Sequence, residues 1–263
     1  MSYPEIAVVF LHFWISFGHL LSLLEQAKKK EYRLKDRCDE RRAKALAKKS
    51  ESSIALKIYI MKIIAIGRNY IDHAKELNNP VPENPIIFLK PDTAVLKDNK
   101  DFYYPEFSKN IQFETEVVLR ICKEGKHVTP KFASTYFDAV GLGIDFTARD
   151  VQQELKAKSL PWELAKAFDH SALISNLIPK EELADVNSID FSLQQNGQTV
   201  QQGNTKDMIF SYEDLIVYTS KFITLRKGDL IYTGTPVGVG SVAIGDLLEG
   251  FIGEQKMFSC KIK

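Results

Sequence analysis

Cysteine is scarce in this chain. Cys38, Cys122 and Cys260 are the only three among 263 residues. They are odd in number, far apart and without the short spacings of zinc or redox pairs, so a disulfide framework is excluded and a reducing compartment, the cytoplasm, is expected. An excess of one charge is missing too. The 35 Lys and Arg balance 34 Asp and Glu, which leaves no global field to recruit nucleic acid or an anionic membrane surface. No segment repeats at a period of roughly 20 to 50 residues, which excludes solenoids and propellers. A phosphate loop with its lysine is absent, as is a glycine fingerprint between a strand and a helix, so no organic cofactor is expected. What is present is ordinary: 44% hydrophobic and 26% charged residues, the composition of a folded globular protein.

One long apolar run stands near the front, Ile6 to Leu24, 19 residues without a charged side chain. As a helix it would cover roughly 28 Å, close to the thickness of a bilayer core. Against a membrane role, the run contains His12, His19, Ser16, Ser22 and Gly18, and no Lys or Arg precedes it as a signal-peptide n-region would require. Any membrane association would run through residues 6–24 alone. Residues 25–53 are rich in Lys, Arg, Glu and Ala with no sustained apolar face, which suits a solvated helix or a basic linker. Residues 1–60 thus read as a helical N-terminal extension not needed for function, with Met61 as an alternative start. Residues 61–263 read as the compact domain that carries the function.

From Met61 the pattern predicts strands at Ile63–Ile66, Ile86–Leu89, Glu114–Ile121 and Ala139–Phe146. Helices are predicted near Ile71–Leu77, Lys131–Phe137 and Ala148–Lys158. Asn196-Gly197 between Phe191–Gln195 and Thr199–Gln202 is a strong hairpin signal, and Ser211 is placed to cap a helix reaching Lys221. Late strands follow at Leu230–Thr233 and Leu247–Ile252. Short strands with a few interspersed helices indicate a β-rich α+β domain.

Glu114 and Glu116 are two apart in a β-propensity run, so both side chains leave one face of the strand. Alone, such a pair suits a solvent-facing edge. Asp145, however, ends the apolar run VGLGID, where a carboxylate must be paired, hydrogen-bonded or metal-bound to offset its desolvation. Three carboxylates without local His or Cys partners form a hard oxygen site suited to Mg²⁺, with Mn²⁺ or Ca²⁺ as alternatives, over zinc. In GRNYIDHAKE, His73 and Glu76 are neighbours on a helix, as a water-activating base and its orienting carboxylate would be, or an exposed surface pair. Lys166 follows Trp162 in a short helix, where most lysines are simply solvated. LIYTGTPVGVG is a strand entering a Gly-rich turn whose amides and Thr hydroxyls suit a carboxylate.

GRNYIDHAKE, PIIFLKPDTA, FETEVVL, GIDFTARDVQ, LPWELAKAFD and LIYTGTPVGVG together resemble the fumarylacetoacetate hydrolase family, in its order and approximate spacing from Met61 to Lys263. The short acylpyruvate hydrolase branch is the nearest match. The resemblance implies a mixed β-sandwich or roll with short helices, a homodimer, and a metal held by Glu114, Glu116 and Asp145. It also implies that His73 and Glu76 activate water from a lid and that Lys166 supports the reacting oxygen. Arg68 is assigned to the substrate, and Lys90, Arg149, Gln152 and Thr235 are expected to grip its carboxylate. The expected activity is Mg-dependent C–C hydrolysis of acylpyruvates such as acetylpyruvate or fumarylpyruvate. Oxaloacetate decarboxylation or tautomerisation, or isomerisation of 2-hydroxyhepta-2,4-diene-1,7-dioate, is the alternative. A non-catalytic binder of 2-oxo acids is a third.

Overall fold

The computed structural model describes residues 61–76, 80–97 and 100–263. The apolar run 6–24 and the expected helical extension therefore lie outside the described residues. Among the described residues, no helix is long and apolar enough to cross a membrane.

The domain opens with β1 (Ile63–Gly67), whose first four residues are all buried, as a strand covered on both faces requires. The helix α1 (Ile71–Glu76) and β2 (Ile86–Lys90) follow, then β3 (Val95–Leu96), β4 (Ile111–Phe113), β5 (Thr115–Ile121) and α2 (Pro130–Ala133). Next come β6 (Phe137–Asp145), β7 (Thr147–Ala148), α3 (Arg149–Ala157), α4 (Glu163–Lys166), β8 (Ala172–Ile174) and β9 (Ile178–Pro179). The second half is mostly β: β10 (Asp190–Gln195), β11 (Gln198–Asn204), α5 (Tyr212–Phe222), β12 (Leu230–Tyr232), β13 (Gly240–Ser241), β14 (Leu247–Ile252) and β15 (Gln255–Lys261).

These strands form three sheets. The large one runs β2-β1-β12-β5-β6-β8-β3, with β9 pairing β6, and is mixed: β1 with β12 and β3 with β8 are parallel, the remainder antiparallel. A four-stranded sheet runs β11-β10-β14-β15, and a small one β13-β4-β7. The four-stranded sheet packs directly on the large one. Gly250 of β14 lies where a Cβ would come within 2.2 Å of Phe258 and 2.9 Å of Leu142 on β6, so only glycine admits this approach. The β-rich α+β reading holds.

Local signals behaved as their chemistry dictates. Asn196 and Gly197 both take positive φ, 54° and 79°, which a tight two-residue hairpin needs. Ser211 accepts from the Asp214 amide while Asp214 reaches back to the Ser211 amide, a complete capping box for α5. Most boundaries shift by a residue or two, and two of the differences have a tertiary cause. The helix predicted at Lys131–Phe137 stops at Ala133, because Phe137 is buried and paired with Ile121 at the start of β6. Strand pairing outweighs local propensity there. Glu114, expected to open the strand Glu114–Ile121, instead sits at the break where the chain leaves the small sheet at β4 and enters the large sheet at β5.

Candidate metal centre and active site

That break shapes the centre. The Asp145 amide donates to the Glu114 carbonyl at 2.8 Å, and Glu116 pairs across the ladder with Gly143, two residues before Asp145. The end of β6 is thereby tied to the start of β5. Glu114, Glu116 and Asp145 are all buried, each presenting a carboxylate oxygen within 4.8 Å of the others. Oxygen donors of one sign at this spacing are the chemistry of a hard divalent cation site. Among the described residues the partner of Asp145 Oδ1 is the Lys90 ammonium, 2.6 Å away as an ion pair. A buried carboxylate oxygen with one ammonium partner keeps acceptor capacity for a cation.

Two buried lysines offset the acids. Lys166 Nζ donates to Glu114 Oε2 at 2.7 Å, to Asp145 Oδ2 at 2.7 Å and to Thr147 Oγ1 at 2.6 Å. It is therefore far from the solvated lysine its helix alone would suggest. Burial pushes this ammonium down, but Asp145 and Glu114 outweigh it and hold the group above its ordinary value. Lys90 donates to the Lys166 carbonyl and, at 3.0 Å each, to the carbonyl and hydroxyl of Ser171. Arg149 is equally committed: Nη2 to Glu114 Oε1 at 2.5 Å, Nε to Gln112 Oε1 at 2.6 Å, and Nη1 to Gln152 Oε1 at 2.6 Å.

The acids respond differently to this setting. Burial alone would raise the Glu114 carboxyl, yet Lys166 and Arg149 hold it well below the usual carboxylate range. Glu116 lacks such a partner. Burial first, then the charges of Asp145 and Glu114, push it well above the ordinary value, against the pull of a 2.7 Å hydrogen bond from the Gly234 amide. A divalent cation would remove that repulsion.

Above the acids lies a small cavity of about 30 Å³, room for about two waters. Its walls include Arg68, His73, Glu114, Gln152, Trp162 and Lys166. His73 is buried, and its Nδ1 lies 3.1 Å from Glu76 Oε2. Glu76 Oε1 accepts in turn from the Gly238 amide at 3.0 Å, joining α1 to the Gly-rich turn. Asp72 faces away and pairs with Lys75 at the surface.

The structure thus gathers Arg68, His73, Glu114, Arg149, Gln152 and Lys166 around one cavity, and Glu114 converges in turn with Glu116 and Asp145. Lys90 and Thr235 are not among its lining residues. Lys90 braces Asp145, and Thr235 donates to the Thr115 carbonyl at 2.9 Å. Several residues in the site were not singled out from sequence. Thr147 and Gln112 hold Lys166 and Arg149, and each lies two residues from a metal-centre acid, so period-two alternation carried the signal. Gln201 had no such signal. It arrives from β11 in another sheet, accepts from the Thr115 amide at 3.0 Å and donates to Thr235 at 3.0 Å.

The profile of the fumarylacetoacetate (FAA) hydrolase C-terminal family matches residues 62–260. The chain belongs to the fumarylacetoacetate hydrolase family. As a member of that family, it is 41% identical over 201 residues to a mitochondrial oxaloacetate tautomerase of Mus musculus, covering 76% of this chain and 91% of the relative. It is 43% identical over 189 residues to a mitochondrial oxaloacetate decarboxylase of Dictyostelium discoideum, covering 72% and 87%. Among solved structures, fumarylpyruvate hydrolase from Pseudomonas aeruginosa in complex with Mn²⁺ and pyruvate superposes with a TM-score of 0.73 at 34% identity. That match covers 77% of this chain and 89% of the other.

Proposed function

We propose that this family member is a divalent-metal-dependent oxaloacetate keto–enol tautomerase. The observation that carries the reading is His73, paired with Glu76, in the wall of a cavity also lined by Lys166 and by Glu114 of the carboxylate cluster. Tautomerisation needs a base that removes a proton from C3 and an electrostatic partner for the oxygen on C2. With its Nδ1 engaged by Glu76, His73 has its other ring nitrogen to take and return that proton. Lys166, kept charged by Asp145 and Glu114, supplies fixed positive charge for the 2-oxygen. A divalent cation held by Glu114, Glu116 and Asp145 would add Lewis-acid stabilisation of that charge. Similarity over most of the chain to an oxaloacetate tautomerase and an oxaloacetate decarboxylase supports the choice of substrate.

The acylpyruvate hydrolase expected from the motifs is the second reading, favoured by likeness to a fumarylpyruvate hydrolase bound to Mn²⁺ and pyruvate. It uses the same groups, with His73 drawing its proton from water. Both named relatives are mitochondrial proteins, and a reducing mitochondrial matrix meets the cysteine argument as well as the cytoplasm does. The deciding assay follows the enol absorbance of oxaloacetate with Mg²⁺ or Mn²⁺, beside acetylpyruvate cleavage, for wild type and His73→Ala. Metal-dependent enol–keto exchange lost in the variant supports the tautomerase. Acetylpyruvate cleavage without oxaloacetate exchange transfers the assignment to the hydrolase.

A further inference from the structure

The helix α3 presents three polar side chains to the cavity at i, i+3 and i+7: Arg149, Gln152 and Lys156. The first two are spent on each other and on Glu114. Lys156 is not. No carboxylate among the described residues reaches it within ion-pair distance, and its Nζ lies over the Trp162 ring, 5.2 Å from the centroid. Across the cavity Arg68 is likewise without a carboxylate partner. Its backbone adds a second observation. Arg68 takes φ 61°, a left-handed conformation in which glycine would be cheaper. A long cation at such a backbone position points to work done by its side chain.

Two half-buried cations facing one cavity repel each other until an anion joins them. Burial first, then the charges of Arg68 and Arg149, push the Lys156 ammonium below its ordinary value. A bound anion would relieve that repulsion, and the acid cluster supplies none: Glu114 and Asp145 are already taken by Lys166, Lys90 and Arg149, and Glu116 accepts from the Gly234 amide.

We propose that Lys156 and Arg68 form a distal anion subsite that receives the second carboxylate of a 2-oxo diacid, so that the enzyme selects dianionic over monoanionic substrates. This inference rests on the enolisation reading above and names its specificity determinants. Trp162, over whose ring the Lys156 ammonium stands, supplies the apolar wall for the substrate methylene.

The test compares oxaloacetate with acetylpyruvate, whose distal end is uncharged, in Mn²⁺-loaded wild type, Lys156→Met, Lys156→Arg and Arg68→Gly. Glycine suits the left-handed backbone, so the last variant removes the charge without straining the fold. Loss of a charge-assisted hydrogen bond predicts a rise in KM for oxaloacetate of about 10- to 100-fold in Lys156→Met and Arg68→Gly, with kcat little changed. The KM for acetylpyruvate stays within about twofold, and Lys156→Arg restores most of the loss. Equal effects on both substrates, or none, overturn the subsite and leave the enolisation reading intact. Should wild type turn over neither substrate, the enolisation reading falls and the subsite is judged by calorimetry of malate against 2-hydroxybutyrate. A preference for malate that disappears in Lys156→Met upholds it, and equal binding overturns it.

Discussion

The ammonium of Lys166 lies 2.7 Å from Asp145 Oδ2, and neither side chain is more than 4% exposed. Since the same ammonium also holds Glu114, one lysine neutralises two of the three acids that converge on the metal centre. Replacing it by methionine leaves buried carboxylates without their closest counter-charge. We expect Lys166→Met to lose about 3–5 kcal/mol of stability in the metal-free protein. Added Mn²⁺ should recover more of the melting temperature in this variant than in wild type. Thermal scans with EDTA and with Mn²⁺ check both statements, and equal recovery would show that lysine and cation do not share ligands.

Glu116 and Glu114 make opposite contributions to the pH dependence of the metal-free protein. The Glu116 carboxyl is raised above its ordinary value of 4.5, so its contribution is full below that pH and is lost as pH rises through the folded-state value. Glu114 is depressed below 4.5, so its contribution is present above that pH and lost on acidification. Glu116→Gln should therefore stabilise the metal-free protein at pH 7.5 by about 1–3 kcal/mol relative to wild type. The same change should remove most of the Mn²⁺ affinity. Urea titrations in EDTA at pH 5 and 7.5, with electron paramagnetic resonance of Mn²⁺, measure the two effects. Loss of stability at pH 7.5 would refute the account.

His73 contacts Glu76 and no metal-centre carboxylate within hydrogen-bond distance. His73→Ala is expected to cost about 10²- to 10⁴-fold in kcat, the usual worth of a positioned acid–base group. Mn²⁺ binding should remain within about twofold of wild type. Glu76→Gln keeps an acceptor and should be milder. Should Mn²⁺ affinity fall with activity in His73→Ala, the residue would belong to the metal site and not to proton transfer.

Gly234 has φ 100°, and a Cβ there would stand 2.6 Å from the Asn69 Cβ. Its amide also anchors Glu116. Asn69 cannot withdraw cheaply, since its amide group bonds the Thr233 and Phe210 carbonyls and the Phe210 amide. Gly234→Ala should cost about 1–3 kcal/mol or more and weaken Mn²⁺ binding in the same variant. Chemical denaturation together with Mn²⁺ titration separates this from Gly228→Ala, a control with φ 95° and open space around its Cβ position.

Much of this molecule was legible in one dimension because the information is local. The buried run IIAI, the Asn-Gly hairpin and the Ser211 cap each follow from a short stretch of backbone chemistry. That Asp145 would be partnered was legible as well: a carboxylate at the end of VGLGID has to find a partner wherever the strand lies. What no local rule could supply was the partnership itself. Whether Lys166 was solvated or buried against Asp145, whether Lys90 faced substrate or acid, and where Gln201 would arrive all depend on three sheets meeting. The identity of the ionisable groups was set residue by residue, whereas their charge balance was decided by contacts between distant segments, such as Glu116 and Gly234, 118 positions apart, because burial and Coulomb interaction act through space and not along the chain.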